Sequence, residues 1–352
     1  MRKFLSLLLL PISAGPVSAA TSPISSAQYL VQSVIVPRFE TVASAAIEQQ
    51  AAWTSFCKSR TRGGAENLRA EFNKVGDAWA NIEFVRLGPP AAELRAERFN
   101  FWLDRRDMAG KALDAMLAST DAKSLDPATI ADGSVAGQGM PVLERLLYDD
   151  SALAKLLAKD GEADRRCAVG MAIAHNLSSI ADAIATDWTK PDGAAAAIAA
   201  NRSWGYHFAD ANQAASVMVT DLITGLEMLK DFNLPMTYHD LADKASPRLA
   251  EGARSARSLR DVELKFAGIR SMLDTFMAAA PSAQKAKLDM AFADADAKLV
   301  AVAAAAKSDD TAKELVRLTT AIASFSALKQ TAMNVIPEAT GISLGFNNLD
   351  GD

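Results

Sequence analysis

The chain has 352 residues, 37 of them basic and 42 acidic, with a formal net charge of −5; half of it is hydrophobic but only 7% is aromatic. That balance argues against a nucleic-acid partner, which would call for a basic face carrying aromatic side chains. About 330 residues remain after the leader described next, more than one compact domain usually holds, so two domains are expected.

The first residues read as an export signal: Arg2 and Lys3 supply positive charge, Phe4 to Ile12 an apolar core, and Val17-Ser18-Ala19 the small residues of a cleavage site. Residues 1–19 are assigned as a signal peptide cleaved near Ala19, which makes the mature protein periplasmic. The apolar run is too short to span a bilayer, and no later stretch of about 18 consecutive apolar residues follows, so no membrane span is expected. Without Arg2 and Lys3 the basic count is 35 against 42 acids, a net charge of −7.

Helical periodicity recurs along the rest, with no alternating strand of useful length. A long helix is expected over 26–59, interrupted near Pro37, and then a break over 61–64 with Gly63 and Gly64 as its stop. Leu68, Phe72, Val75, Trp79, Ile82 and Val85, spaced 4, 3, 4, 3 and 3, mark the buried face of a second helix ending at Gly88-Pro89-Pro90. Over 95–106, Arg95, Arg98, Arg105 and Arg106 interleave with Phe99, Phe101, Trp102, Glu97 and Asp104. This stretch is either a packed connector or an anion- or peptide-facing wall. A helix over 110–118 and a polar segment over 119–133 lead to Gly137-Gln138-Gly139-Met140-Pro141-Val142-Leu143-Glu144. Pro141 suits the first turn of a helix, on which Val142, Leu143, Leu146 and Leu147 form the apolar stripe and Glu144 lies on another face.

Another helix begins near Asp164, with Val169, Ile173, Leu177, Ile180 and Ile184 as its stripe and His175 almost opposite, exposed or facing a second domain. Residues 201–206 look like the hinge. The second half opens with a helix over 209–231 stopped by Asn233-Leu234-Pro235, followed by an arginine-bearing loop over 238–258 and helices over 260–279, 282–306 and 309–334. The non-helical tail carries apolar residues and is expected to dock on the body. Leu143-Glu144-Arg145-Leu146 and Leu226-Glu227-Met228-Leu229 form a faint echo that a duplicated bundle would explain. The reading is an all-α protein of two helical bundle-like domains, 20–205 and 206–352. Cys57 and Cys167, in an oxidising exported compartment, either pair or stay as buried thiols; a bridge would contribute about 4 kcal/mol in the chain-entropy model.

Several stretches in order resemble the imelysin-like family, also called the M75 peptidase-like or iron-regulated periplasmic proteins. They are Trp79 with Arg86-Leu87-Gly88-Pro89, Arg98-Phe99 with Phe101-Trp102-Leu103-Asp104, the Gly139–Glu144 motif, Arg254-Ser255-Ala256-Arg257-Ser258-Leu259, and the closing Leu344-Gly345-Phe346-Asn347-Asn348-Leu349-Asp350-Gly351-Asp352. The resemblance implies a fold of two helical bundle-like domains, export to the periplasm, and an association with iron or metal uptake. Its binding candidates here are Gly139, Pro141, Glu144, Trp79, Arg86, Arg98, Trp102, Arg254 and Arg257. The family motif is Gly-x-His-x-x-Glu, in which His and Glu can present two ligands from one helix face. Pro141 stands in the histidine's place and cannot coordinate a metal, which leaves Glu144 as the motif's one candidate ligand for iron or another divalent ion.

No His-Glu-x-x-His run exists, and His175, His207 and His239 are scattered, with His207 and Asp210 close enough in sequence to share a helix face. Arg254 and Arg257 are expected to hold carboxylates of the same chain, the acidic tail at 350–352 among the candidates. Three functions are consistent with these residues. The favoured one is a periplasmic binding or accessory protein of iron or metal uptake, with its site in the interdomain cleft near Glu144, its partner a metal ion or a cell-envelope uptake protein. The alternatives are an M75-type metallopeptidase, which needs two more ligands near Glu144, and an envelope protein–protein interaction module.

Overall fold

Helical spacing over most of the chain produces helices, and a single isolated bridge between Trp204 and Phe208 is the β-pairing among the described residues. The computed structural model describes residues 22–244, 248–307 and 310–345; the segment expected to be a signal peptide and the tail from residue 346 onward lie outside them. The helices are α1 (Pro23–Leu30), α2 (Val36–Ser59), α3 (Arg62–Ala80), α4 (Arg95–Phe99), α5 (Met108–Ala118), α6 (Pro127–Ala131), α7 (Met140–Tyr148), α8 (Ala152–Leu157), α9 (Gly161–Thr189), α10 (Ala194–Ala199), α11 (Ala211–Met228), α12 (Leu234–Ala242), α13 (Ser258–Phe276), α14 (Ser282–Ala306) and α15 (Thr311–Thr340). The all-α expectation holds.

The two prolines expected to interrupt or stop helices do something subtler. Each follows a single π-turn, Val31–Ile35 before Pro37 and Leu229–Asn233 before Pro235, in which the N–H six residues in bonds five residues back, Val36 to Val31 O and Leu234 to Leu229 O. A proline lacks the N–H for the usual ladder, and the wider turn carries the helical path past it. The chain therefore continues helically beyond Pro235 into α12, where the sequence suggested a stop.

Other boundaries also move. The α2–α3 break is made by Arg60 in the left-handed region (φ 45°) and by the Thr61 side chain, which accepts from Gly64 N; Gly63 and Gly64 lie inside the first turn of α3. At the other end α3 stops at Ala80, and Ile82 and Val85 stay buried in a turn although they keep the helical period. The last helix runs on past Asn334 to Thr340 with Pro337 inside it.

In the first half α2 lies against α3 and α9. The expected α9 stripe, Val169, Ile173, Leu177, Ile180 and Ile184, is buried, and Cys57 is bonded to Cys167 across the α2–α9 interface with the Cα atoms 5.7 Å apart. His175 is half-buried and meets Gln50 of α2, 3.1 Å from Nδ1. By length and composition the helical paths Pro23–Ser59 and Gly161–Ala199 could cross a membrane, but 44% and 61% of their most apolar windows are buried inside the protein. In the second half α14 and α15 form a long hairpin, with α11, α12 and α13 packed beside it.

One contiguous apolar core runs through both halves. The boundary expected at 205/206 falls between α10 and α11, and α1, although N-terminal, packs on α11 and α13. The chain after α15 does dock as far as it is described: Ile342 is buried and Gly345 N donates to Thr220 Oγ1 at 3.0 Å.

Candidate functional site

Helix α7 is placed by its entry. Gly139 is its N-cap, and a Cβ there would lie 2.0 Å from Phe99 O, so the backbone of α4 approaches closer than any side chain allows. Gln138 is held on both sides: its Oε1 accepts from Arg98 Nε at 2.7 Å and its carbonyl from Asn176 Nδ2 at 2.8 Å. Pro141 sits in the first turn as expected, and the Val142, Leu143, Leu146 and Leu147 stripe is buried. The remaining face presents Glu144 to a loop of the second half, where its Oε1 accepts from Ser255 N at 2.9 Å and Ser255 Oγ at 2.6 Å.

Between α3, α7, the segment around Trp102 and the loop over 248–257 lies a cavity of about 70 Å³. Of the sequence candidates, Trp79, Trp102, Pro141, Glu144, Arg254 and Arg257 line it. Arg86 lines a neighbouring cavity, while Gly139 and Arg98 act behind the wall by shaping the α7 entry. Phe72, Phe101 and Met140 give the wall an apolar part. Trp102 anchors it by donating Nε1 to Leu249 O at 2.9 Å, and Trp79 stacks on Phe99 with ring centroids 4.3 Å apart.

The two loop arginines hold carboxylates of the same chain, as expected; the tail at 350–352, one of the candidates, lies outside the described residues. Arg254 Nε donates to Asp149 Oδ1 at 2.7 Å. Arg257 is almost wholly buried: Nη2 reaches Asp77 and Asp261, each at 2.7 Å, and Nη1 reaches Asn73 O and Oδ1. Its guanidinium lies so close over Gly76 that a Cβ there would be 2.6 Å from Nε. Burial alone would raise the Asp77 carboxyl, but Arg260 and Arg257 beside it hold its pKa below the ordinary value.

Part of the cavity wall belongs to a buried ionic cluster that the sequence reading missed. Lys265 Nζ sits between Glu83, 2.5 Å away, and Glu251; Glu251 also accepts from Asn100 Nδ2 at 2.6 Å and Asn233 Nδ2 at 3.0 Å. Burial opposes the charge on Lys265, but Glu251, Glu83 and Asp261 outweigh it and hold its pKa above the usual lysine range. Burial pushes the Glu83 carboxyl up, and lifts Asp261 to about 8 against the pull of Arg257. One signal was legible: on α13, Asp261 and Lys265 fall in step with buried Gly268 and Met272, so two charged residues interrupt a core stripe. Their partner Glu83 lies in the turn after α3 and gave no such sign.

The histidines play other parts. His207 is stacked between Trp204 and Tyr206, with burial pushing its pKa down, while Asp210 caps α11 by accepting from Gln213 N. His239 Nδ1 lies 3.1 Å from Asp240 Oδ1. Glu227, the echo of Glu144, pairs with Lys329 Nζ at 2.8 Å.

The donor set suits a divalent metal poorly. Pro141 offers no ligand, one oxygen of Glu144 already accepts twice from Ser255, and no group of three His, Cys, Asp or Glu residues able to hold a metal occurs among the described residues. Two donors of residues that line the cavity, Trp79 Nε1 and Arg257 Nε, are buried and have no protein acceptor. A buried donor left unpaired costs about 1–3 kcal/mol, so such groups mark a place where water or a ligand supplies the acceptor.

The Imelysin profile of the M75 peptidases matches residues 35–332, and the chain belongs to this imelysin family. An imelysin-like protein from Psychrobacter arcticum 273-4 is similar in structure at 17% identity, with TM-score 0.70, over 95% of this chain and 100% of that one. A protein described as a candidate iron-regulated protein A precursor from Parabacteroides distasonis ATCC 8503 is similar at 14% identity, with TM-score 0.71, over 94% and 97%. At these identities the likeness is one of fold. A comparison with curated proteins finds no match.

Proposed function

We propose that this chain is an exported, periplasmic binding or accessory protein whose site is the cavity between its N-terminal helical domain (20–205) and its C-terminal bundle (206–352), beside Glu144. The observation that carries this reading is the pair of buried, unpartnered donors, Trp79 Nε1 and Arg257 Nε, on a cavity closed by the Glu144–Ser255 contact. Donors ask for oxygen acceptors, and the aromatic wall beside them suits a small apolar body. A part in iron or metal uptake, in keeping with the family and with the description of the Parabacteroides neighbour, then runs through a partner or an acceptor-bearing ligand. A bare ion held at the motif is the poorer fit, and the same donor set speaks against the metallopeptidase alternative.

The test is native mass spectrometry and elemental analysis of protein purified from the periplasm, for the wild type, Glu144→Ala, Trp79→Phe and Pro141→His. A small molecule retained by the wild type and lost from folded Glu144→Ala and Trp79→Phe supports the reading. Metal gained only by Pro141→His shows that the family's pocket shape persists without its ligand. Stoichiometric zinc or iron retained by the wild type after dialysis sinks the proposal.

A further inference from the structure

A second cavity, of about 90 Å³, adjoins the first and shares Glu83, Asn100, Trp102 and Glu251 with it. Its other walls come from α11 and the π-turn after it, with Asp221, Thr224 and Asn233, from Phe84 and Arg86 after α3, and from Lys265 and Ile269 of α13. Asp221 is deeply enclosed, yet it keeps some accessible surface while lining this cavity. Its Oδ2 accepts from Arg86 N and Leu87 N, each at 2.8 Å, and it forms no ion pair with any described residue. The nearby guanidinium of Arg86 is engaged by Glu97 at 3.1 Å, and Lys265 is shared by Glu83 and Glu251.

A second, independent observation comes from Asn233. It is 4% exposed, and its Nδ2 donates to Glu251, a contact that fixes the amide because the flipped form would set oxygen against carboxylate. Its Oδ1 is then buried on the cavity wall with no donor from the protein. A carboxylate with no ion-pair partner among the described residues and an amide oxygen with no donor thus belong to the wall of the same small space. Both are hard oxygen acceptors, the kind that takes a hard cation.

We infer that this second cavity binds one alkali cation, held by Asp221 and Asn233. The formal charge of the wall agrees: the carboxylates of Glu83, Asp221 and Glu251 stand against two cations, Lys265 and an Arg86 already paired with Glu97, which leaves one negative charge. Burial pushes the Asp221 carboxyl up to about 7, so above that pH an enclosed negative charge remains for a bound cation to offset. The site is separate from the one proposed beside Glu144 and does not depend on it.

The experiment is thermal unfolding of the full mature chain at pH 8 in NaCl, KCl, NH₄Cl and choline chloride at equal ionic strength, choline being too bulky to enter. The wild type is expected to melt about 2 °C or more higher in NaCl or KCl than in choline. Asp221→Asn, which keeps an oxygen for the Arg86 and Leu87 amides but carries no charge, is expected to lose that difference. Equal melting of the wild type in all four salts overturns the inference, as does the same alkali effect in Asp221→Asn. A rise in NH₄Cl alone also overturns it, in favour of an ammonium-bearing ligand. If the variant does not fold, broadening of the ²³Na resonance by the wild type, reversed by K⁺, decides: its presence supports the site and its absence rejects it.

Discussion

Glu144 of α7 receives both the backbone N–H and the hydroxyl of Ser255, 111 residues further along the chain, on the same carboxylate oxygen. This contact clasps the loop over 248–257 to the first half of the molecule. Glu144→Ala is expected to leave the Ser255 amide without its acceptor and to cost about 1–3 kcal/mol in urea unfolding, with faster hydrogen exchange at that amide. Exchange at Ser255 unchanged by the substitution would show that the loop is held by its arginines alone.

Lys265 is the one cation between two enclosed carboxylates. Removing it in Lys265→Met leaves Glu83 and Glu251 uncompensated and is expected to cost about 3–5 kcal/mol at pH 7. The loss should shrink as pH falls toward 4 and Glu83, whose carboxyl burial pushes up, takes up its proton, and Glu83→Gln added to Lys265→Met should recover part of it. Equal stability of wild type and Lys265→Met at pH 7 would mean the cluster is already neutral.

Gly139 and Gly161 make a matched pair. A Cβ on Gly139 would strike Phe99 O at 2.0 Å, whereas nothing lies within 4 Å of one on Gly161 at the start of α9. Gly139→Ala is expected to cost more than about 2 kcal/mol through displaced backbone, and Gly161→Ala to change stability by less than about 1 kcal/mol. Urea midpoints of the two variants against wild type measure both.

Asp221 gives a pH signature. Its folded pKa of about 7 lies above the ordinary carboxylate value, so the native state binds the extra proton and stability falls as pH rises from about 4 to 7. Asp221→Asn removes this term. In choline buffer its advantage over wild type should be absent near pH 4, grow through that window and level off above it. A difference independent of pH between 4 and 8 would place the carboxyl in a solvated setting.

Much of this architecture was legible in residues with one local job. The α9 stripe and the Pro141 helix start follow from spacing and from proline's missing N–H, and the pairing of Cys57 with Cys167 was one of two readings that the residues left open. Boundaries failed where a second device competed: Arg60 in the left-handed region ended α2 ahead of the two glycines, and π-turns carried helices past Pro37 and Pro235. At the cavity, Glu144 announced itself through the motif, while Ser255 gained its role only when folding brought the halves together. Asp221 and Glu83 were silent because their surroundings come from segments more than a hundred residues apart.

The π-turn at Val31–Ile35 has a mechanical consequence. One extra residue in that turn advances α2 by about 100° relative to an unbroken continuation of α1. Upstream of the turn the path rests on α11 and α13; downstream it is bolted to α9 by the disulfide. The two segments thus form one shaft keyed at two angles, a single helical path that joins the packing around α11 and α13 to the disulfide-bonded α2–α9 pair.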